Sequence, residues 1–208
     1  MKFEKIVFVI VLNISFSLFA QESPNSSGIT VDVIKSKLVN NGSVFGIRPL
    51  RVTSEDLRKV LIKTKISSTN EKTTLSAFSL LDTKNKIRYR LADYIGYIGF
   101  IGNPELIPFR KDKIYNEKGK ERNSEWLPPY DNTEKDYFYE YNQEGYTNFE
   151  INTNFGTTNN PKLSIVYFGR TSYEKFTAEL YFAILIKNID SEYELYYKNE
   201  KISKITFK

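Results

Sequence analysis

An all-β sandwich of antiparallel strands is the fold this sequence predicts, and three observations carry the prediction. Residues 59–66 place Val60, Ile62, Thr64 and Ile66 on one side and Lys59, Lys63 and Lys65 on the other, interrupted only by Leu61; that is the period of a half-buried strand. Short runs of the same texture recur toward both ends of the chain, divided by Asn- and Asp-containing turns. Tyr and Phe number 15 each, and together with the Ile, Val and Thr around them they suit a pleated surface better than a helix.

In chain order, the first residues belong to no strand. Lys2 and Lys5 precede the apolar run Ile6, Val7, Phe8, Val9, Ile10, Val11 and Leu12, and small or weakly polar residues lead to Ala20. Residues 1–20 are therefore expected to be a secretory signal peptide, which makes the mature chain exported, either periplasmic or extracellular. An uncleaved anchor is the competing reading, but Asn13, Ser15 and Ser17 break the run, and a span needs about 20 predominantly apolar residues. No cysteine follows the leader, which excludes a lipid-anchored export signal, and no later segment is apolar for long enough to span a membrane.

Residues 21–37 are expected to be an N-terminal arm, partly disordered, because residues 21–28 are polar and rich in turn formers. Within it Ile29, Val31 and Val33 alternate with Thr30 and Asp32 as a strand would. The sandwich is expected over residues 38–208. Residues 59–66 form its first clear strand, Asn70, Glu71 and Lys72 turn the chain into residues 74–81, and Asp82, Thr83, Lys84 and Asn85 turn it again into residues 87–91. That spacing predicts an antiparallel meander of three strands. Further strands are expected at 163–168, 176–184, 193–197 and 202–207. Residues 172–186 also carry a helical spacing in Tyr173, Phe176, Leu180 and Ala183, but Phe176, Ala178, Leu180, Phe182 and Ile184 satisfy the strand period, and the strand is preferred.

Composition removes whole classes of chemistry. Without the leader, and so without Lys2, Glu4 and Lys5, 28 basic and 24 acidic residues leave a net charge of +4. The lysines are interleaved with glutamates, as in Lys118, Lys120, Glu121 and Arg122, so nucleic acid, which wants a basic face, is not an expected partner. The chain has no cysteine and no histidine. An exported fold without disulfides must hold by its core, which about 188 residues can supply. The missing imidazole removes Ser-His-Asp, Cys-His and zinc chemistry together, and no cofactor is expected.

Lys59, Val60, Leu61 and Ile62, then Leu75, Ala77, Phe78, Leu80 and Asp82, then Ile87, Arg88, Tyr89 and Arg90 resemble the opening of the DUF4352 type of exported immunoglobulin-like domain, a family related to mycobacterial immunoprotective extracellular antigens. The closing part is similar as well, with Leu180, Tyr181, Phe182, Ala183 and Ile184 at the family's bulky-Phe-x-Val strand and Tyr193, Glu194, Leu195, Tyr196 and Tyr197 as the penultimate strand. Leu185 stands where the family usually has a proline, and residues 96–161 form a longer segment than its pattern contains. The resemblance implies an all-β, immunoglobulin-like antiparallel β-sandwich with a long central insertion at about 100–160. The family has no agreed activity, so no functional residue is carried over.

The central segment is where a grafted function is expected. It holds Trp126, the only tryptophan, near Pro128, Pro129 and Tyr130, and then Tyr137, Phe138, Tyr139 and Tyr141 among carboxylates. Exposed aromatics beside carboxylates and amides make a platform for a sugar ring or a protein partner, and Trp126, Tyr130, Tyr137 and Tyr139 are the candidate ligand-binding residues. For most of these aromatics a core role is favoured, with Tyr137, Tyr139 and Tyr141 on one face of a strand and Phe138 and Glu140 on the other. Asp131, Glu134 and Asp136 lack the spacing of a calcium loop and are taken as a solvated acidic run, so no metal ligand is named. Gly96, Gly99 and Gly102 lack the Lys-Ser/Thr and the strand-to-helix context of a phosphate loop and are read as a tight apolar loop at the sandwich edge.

The expected function is that of a non-enzymatic binding or interaction domain whose partner is a protein or a cell-surface glycan. A carbohydrate-binding module using the central aromatics is the alternative, and a hydrolase with two facing carboxylates a weaker third.

Overall fold

The computed structural model describes residues 28–41, 52, 54–69, 72–98, 103–106, 136–154, 163–165, 168, 170–171 and 173–207. In chain order these form β1 (Ile29–Leu38), β2 (Leu57–Ser68), β3 (Phe78–Asp82), β4 (Ile87–Arg90), β5 (Asp93–Ile98), β6 (Asn103–Leu106), a one-turn helix α1 (Tyr137–Glu140), β7 (Thr147–Phe149), β8 (Asn152–Asn154), β9 (Leu163–Ile165), β10 (Lys175–Leu185), β11 (Tyr193–Tyr197) and β12 (Glu200–Ile205). The leader expected at residues 1–20 and the candidates Trp126 and Tyr130 lie outside the described residues. Among those residues no helix is long and apolar enough to cross a membrane.

Strand alternation becomes architecture in two five-stranded sheets, ordered β1-β2-β10-β5-β6 and β12-β11-β3-β4-β7. Val60, Ile62 and Ile66 of β2 and Phe176, Ala178, Leu180, Phe182 and Ile184 of β10 share one buried cluster with Phe78 and Leu80 of β3 and Tyr193, Leu195 and Tyr197 of β11. The two sheets therefore pack face to face as an all-β sandwich, and the strand reading of β10 holds along its whole length. Each large apolar side chain so buried stabilises by about 1.5–3 kcal/mol relative to exposure. Phe78 packs on Tyr197 with ring centroids 4.8 Å apart, and Tyr94 meets Phe168 edge-on at 5.1 Å. Buried phenols are mostly tied down: Tyr193 donates to the Asn188 carbonyl at 2.6 Å, and Tyr197 accepts from the Thr74 amide at 3.2 Å.

The expected meander is not what forms. β2 pairs with β1 and β10, and β3 pairs with β4 and β11, so the chain crosses from one sheet to the other between β2 and β3. Residues 75–77, expected as strand, make that crossing as a turn of 3-10 helix, closed by the Ala77 amide donating to the Thr74 carbonyl at 3.1 Å. The expected edge loop at 96–102 is corrected in part, because Gly96, Tyr97 and Ile98 are strand residues of β5. Gly96 lies opposite Ala178 of β10, two small residues side by side in the sheet. From Ile29 onward the expected arm is sheet, since β1 pairs with β2 from Ile29 opposite Ser68 to Leu38 opposite Val60.

At one side of the sandwich the edge strands β1 and β12 come together, Ser36 donating to the Thr206 carbonyl at 2.7 Å. Each carries a bulge: Ile34 has no partner in β2 between Val33 and Lys35, and Ile202 has none in β11 between Lys201 and Ser203. The bulge in β1 switches its inward set from Ile29 and Val31 to Leu38, which packs on the core. Bulges and edge lysines are the usual guards against strand addition.

Candidate functional site

β4 alternates in register, so Tyr89 enters the core while Arg88 and Arg90, two residues apart, point to the opposite, outer face of the second sheet. Two guanidiniums on one face need acids, and a segment from beyond β6 brings them. Asp136 caps α1, its Oδ1 accepting from the Phe138 amide at 3.1 Å, and the same carboxylate receives Arg90 through both Nη groups, at 2.8 and 2.6 Å. A turn with Gly145 at φ +77°, a conformation glycine adopts at little cost, leads into β7. β7 pairs with β4 in parallel, Arg88 opposite Asn148, so one more step places Glu150 beside Arg90. Arg90 Nε donates to Glu150 Oε1 at 2.6 Å, and Arg88 Nη1 donates to Asn148 Oδ1 at 3.3 Å.

Phe138, fully buried, sits between the two guanidiniums, their central carbons 3.8 Å (Arg88) and 4.3 Å (Arg90) from its ring centre. This is cation–π stacking in a desolvated place, where it is worth most. Burial pulls the Arg90 guanidinium down, but hydrogen bonds and charge from Asp136 and Glu150 outweigh it and hold it above its ordinary value. Arg88 moves the other way: burial first, then repulsion from Arg90, push it down to about 10.

Tyr139 stands at the rim, 53% exposed, with its hydroxyl donating to Glu150 Oε2 at 2.5 Å and its ring 5.2 Å from Arg90. Tyr137 and Tyr141, one helical turn apart, present nearly parallel rings, centroids 6.5 Å apart at 13°. Arg170 donates to the Tyr137 hydroxyl and lies 5.2 Å from its ring. The structure thus gathers two of the four sequence candidates, Tyr137 and Tyr139, at one corner. It also corrects the strand reading of this stretch. Residues 137–140 are a helical turn in which Phe138 is the buried ring, because Asp136 supplies a cap and Arg88 and Arg90 supply a slot for one aromatic. Asp136, taken from sequence as part of a solvated run, is a structural ion-pair partner. Arg88, Arg90 and Glu150 were missed; the available signal was the pair of arginines at spacing two flanking a core tyrosine.

A second polar cluster lies on the outer face of the first sheet. Glu179 of β10 accepts from the hydroxyls of Tyr181 at 2.9 Å and Tyr97 at 3.2 Å, with Lys63 Nζ 3.7 Å away. Lys59 lies 5.6 Å from the Tyr181 ring centre. Burial, then the Glu179 charge, raises both phenols far above the ordinary tyrosine range. Lys59 is lowered by burial, against the opposing charge of Asp93. Lys59 and Leu61 are buried at 3% and 4% exposure, so the first half of β2 is covered on both faces, while Lys65 is exposed and the second half is half-buried as its alternation predicts.

No protein-family model, curated protein or solved structure matches this chain.

Proposed function

We propose that the chain is an exported, non-enzymatic binding domain, periplasmic or extracellular, whose binding surface is the tyrosine corner of α1 and β7. The observation that carries this reading is Tyr139, a ring 53% exposed yet anchored through its hydroxyl to Glu150. Ordering a free side chain on binding costs about 0.5–1.5 kcal/mol, and a ring already held offers apolar area at less than that. A binding role is favoured over catalysis by the way the carboxylates are used. Glu179 serves two phenols, Asp136 and Glu150 serve Arg90, and Asp82 serves the turn at Asn85 and Ser191.

Export rests on the leader pattern at residues 1–20. The immunoglobulin-like part of the reading, which the DUF4352-type resemblance also implies, is supported by strand order. β1-β2-β10-β5 against β12-β11-β3-β4 follows the A-B-E-D and G-F-C-C′ arrangement of such domains, with residues between β5 and β10 as the insertion. A glycan in place of a protein partner is the second reading, favoured by the near-parallel Tyr137 and Tyr141 rings, since flat faces of sugars stack on such surfaces.

Two measurements test the proposal. Soluble poly- and oligosaccharides are titrated while the aromatic NMR signals of Tyr137, Tyr139 and Tyr141 are followed; a saturable shift, lost in Tyr139→Ala, identifies a glycan site. A photo-crosslinking residue is placed at position 139 in the producing cells, with position 186 as control, because Ile186 is also exposed, at 46%. One discrete adduct from 139 and none from 186 supports a protein partner. Silence in both assays would sink the tyrosine-corner reading.

A further inference from the structure

We propose that the outer face of the second sheet, beneath α1, holds a binding site for a carboxylate-type oxyanion, formed by the Nε–H and Nη2–H edge of Arg88 with the Ser79 hydroxyl as third donor. Arg88 is fully buried, and its Nε and Nη2 find no hydrogen-bond acceptor among the described residues. The Nη1 side of the same guanidinium is engaged by Asn148, a neutral amide, at 3.3 Å. One flat face is covered by Phe138 at 3.8 Å. The two acids of the neighbourhood, Asp136 and Glu150, are directed at Arg90 instead, at 2.6 and 2.5 Å.

What is left is one particular edge of a permanently charged group. Nε–H and Nη2–H are parallel donors, the fork that takes two oxygens of a carboxylate side by side. Leaving such donors unpaired away from water costs more than an ordinary hydrogen bond is worth, so an acceptor on that edge is strongly favoured. Ser79 adds a second, independent observation. It lies on β3 opposite Arg90, and Leu81 lies opposite Arg88, which makes Ser79 the diagonal neighbour of Arg88 on the same face. Such neighbours are within reach of a long side chain. Its hydroxyl is buried and is likewise without a partner among the described residues. The lowered pKa of Arg88, set by burial and then by Arg90, agrees with a cation that is charged at neutral pH yet short of negative partners. The anion is enclosed, so exchange needs α1 to lift, and the Arg90 clasp to Asp136 and Glu150 sets how readily it does.

The same chemistry has two sources, a free small anion or the carboxylate of a larger ligand such as a uronic acid. The test uses the whole mature chain and the side-chain Nε–H NMR signal of Arg88, titrated separately with sodium acetate, sodium glucuronate and sodium chloride at one ionic strength. A saturable shift with acetate that chloride does not reproduce is the expected result. A response to acetate alone assigns the site to a free small anion, and a response to glucuronate as well assigns it to carboxylates on larger ligands. Ser79→Ala should weaken acetate binding about ten- to a hundredfold, the loss of one hydrogen bond to a charged group, and Arg88→Gln should abolish it. If Arg88→Gln does not fold, Ser79→Ala still decides. No shift with either carboxylate, an equal shift with chloride, or unchanged affinity in Ser79→Ala would overturn the proposal. Tyr139 is not a ligand of this site, so a negative result leaves the tyrosine-corner reading standing.

Discussion

The two outer faces of the sandwich hold buried charge in opposite ways. On the first sheet an acid, Glu179, is surrounded by Tyr97, Tyr181 and Lys63, all carried by the adjacent strands β5, β10 and β2. Strand pairing alone brings the group and its partners together. On the second sheet two bases, Arg88 and Arg90, depend on acids carried by the cap of α1 and the residue after β7. The first arrangement exists whenever the sheet does. The second exists only when a distant segment docks, and it leaves one guanidinium half served. A face completed by docking can be opened, and can report on what binds there; a face completed by pairing is framework.

Several substitutions break or sharpen that contrast. Arg90→Ala removes the cation that both Asp136 and Glu150 serve, and should cost about 3–5 kcal/mol in denaturant unfolding, the penalty for breaking a buried pair; a loss under about 1 kcal/mol would place the clasp among weak surface pairs. Tyr181→Phe withdraws one of the two phenols from Glu179 and should cost less, about 1–3 kcal/mol. If it proves the costlier of the two, the contrast between the faces is wrong.

The third prediction concerns alkali. Burial raises Tyr97, Tyr181 and Tyr193 above their ordinary value of 10.0, so their protonated forms favour the folded state. That stabilisation is complete below about pH 10 and is lost as pH climbs toward the folded-state values. Tyrosinate absorbance from these residues should therefore appear together with unfolding. Gradual, non-cooperative ionisation of every tyrosine in a chain that stays folded would contradict it. The smallest effect is Tyr139→Phe, which should change stability by less than about 1 kcal/mol because the hydroxyl is at the rim, while loosening the ring and weakening partner binding. Equal affinity in both forms would show that anchoring by Glu150 does not matter.

Side-chain direction was legible in the sequence to a useful degree. The period of two along β2 and β10 correctly assigned Val60, Ile62, Thr64 and Ile66, and Phe176, Ala178, Leu180, Phe182 and Ile184, to one buried face. Strand neighbours were not legible, because alternation fixes a face and says nothing about which strand lies alongside; hence the meander that does not form. Lys59 reads as a solvent residue by type, and only the covered outer face makes it buried. At the candidate site, Tyr137, Tyr139 and Tyr141 alternate as well as any strand, and the helical turn wins because Asp136 caps it and Phe138 fills the slot between two arginines. The partners of Arg90 lie 46 and 60 residues away in sequence, a separation no local pattern spans.

The position of β10 bears on how this chain reaches its fold. It is the middle strand of the first sheet, between β2 and β5, yet it comes late, at Lys175–Leu185 against Leu57–Ser68 and Asp93–Ile98. A chain emerging amino end first offers β2 and β5 with no strand to join them, and the sheet closes only once Lys175–Leu185 has appeared. Such non-local closure is slow, on the order of milliseconds to seconds, and during that interval two apolar strands stand open to pairing with other chains.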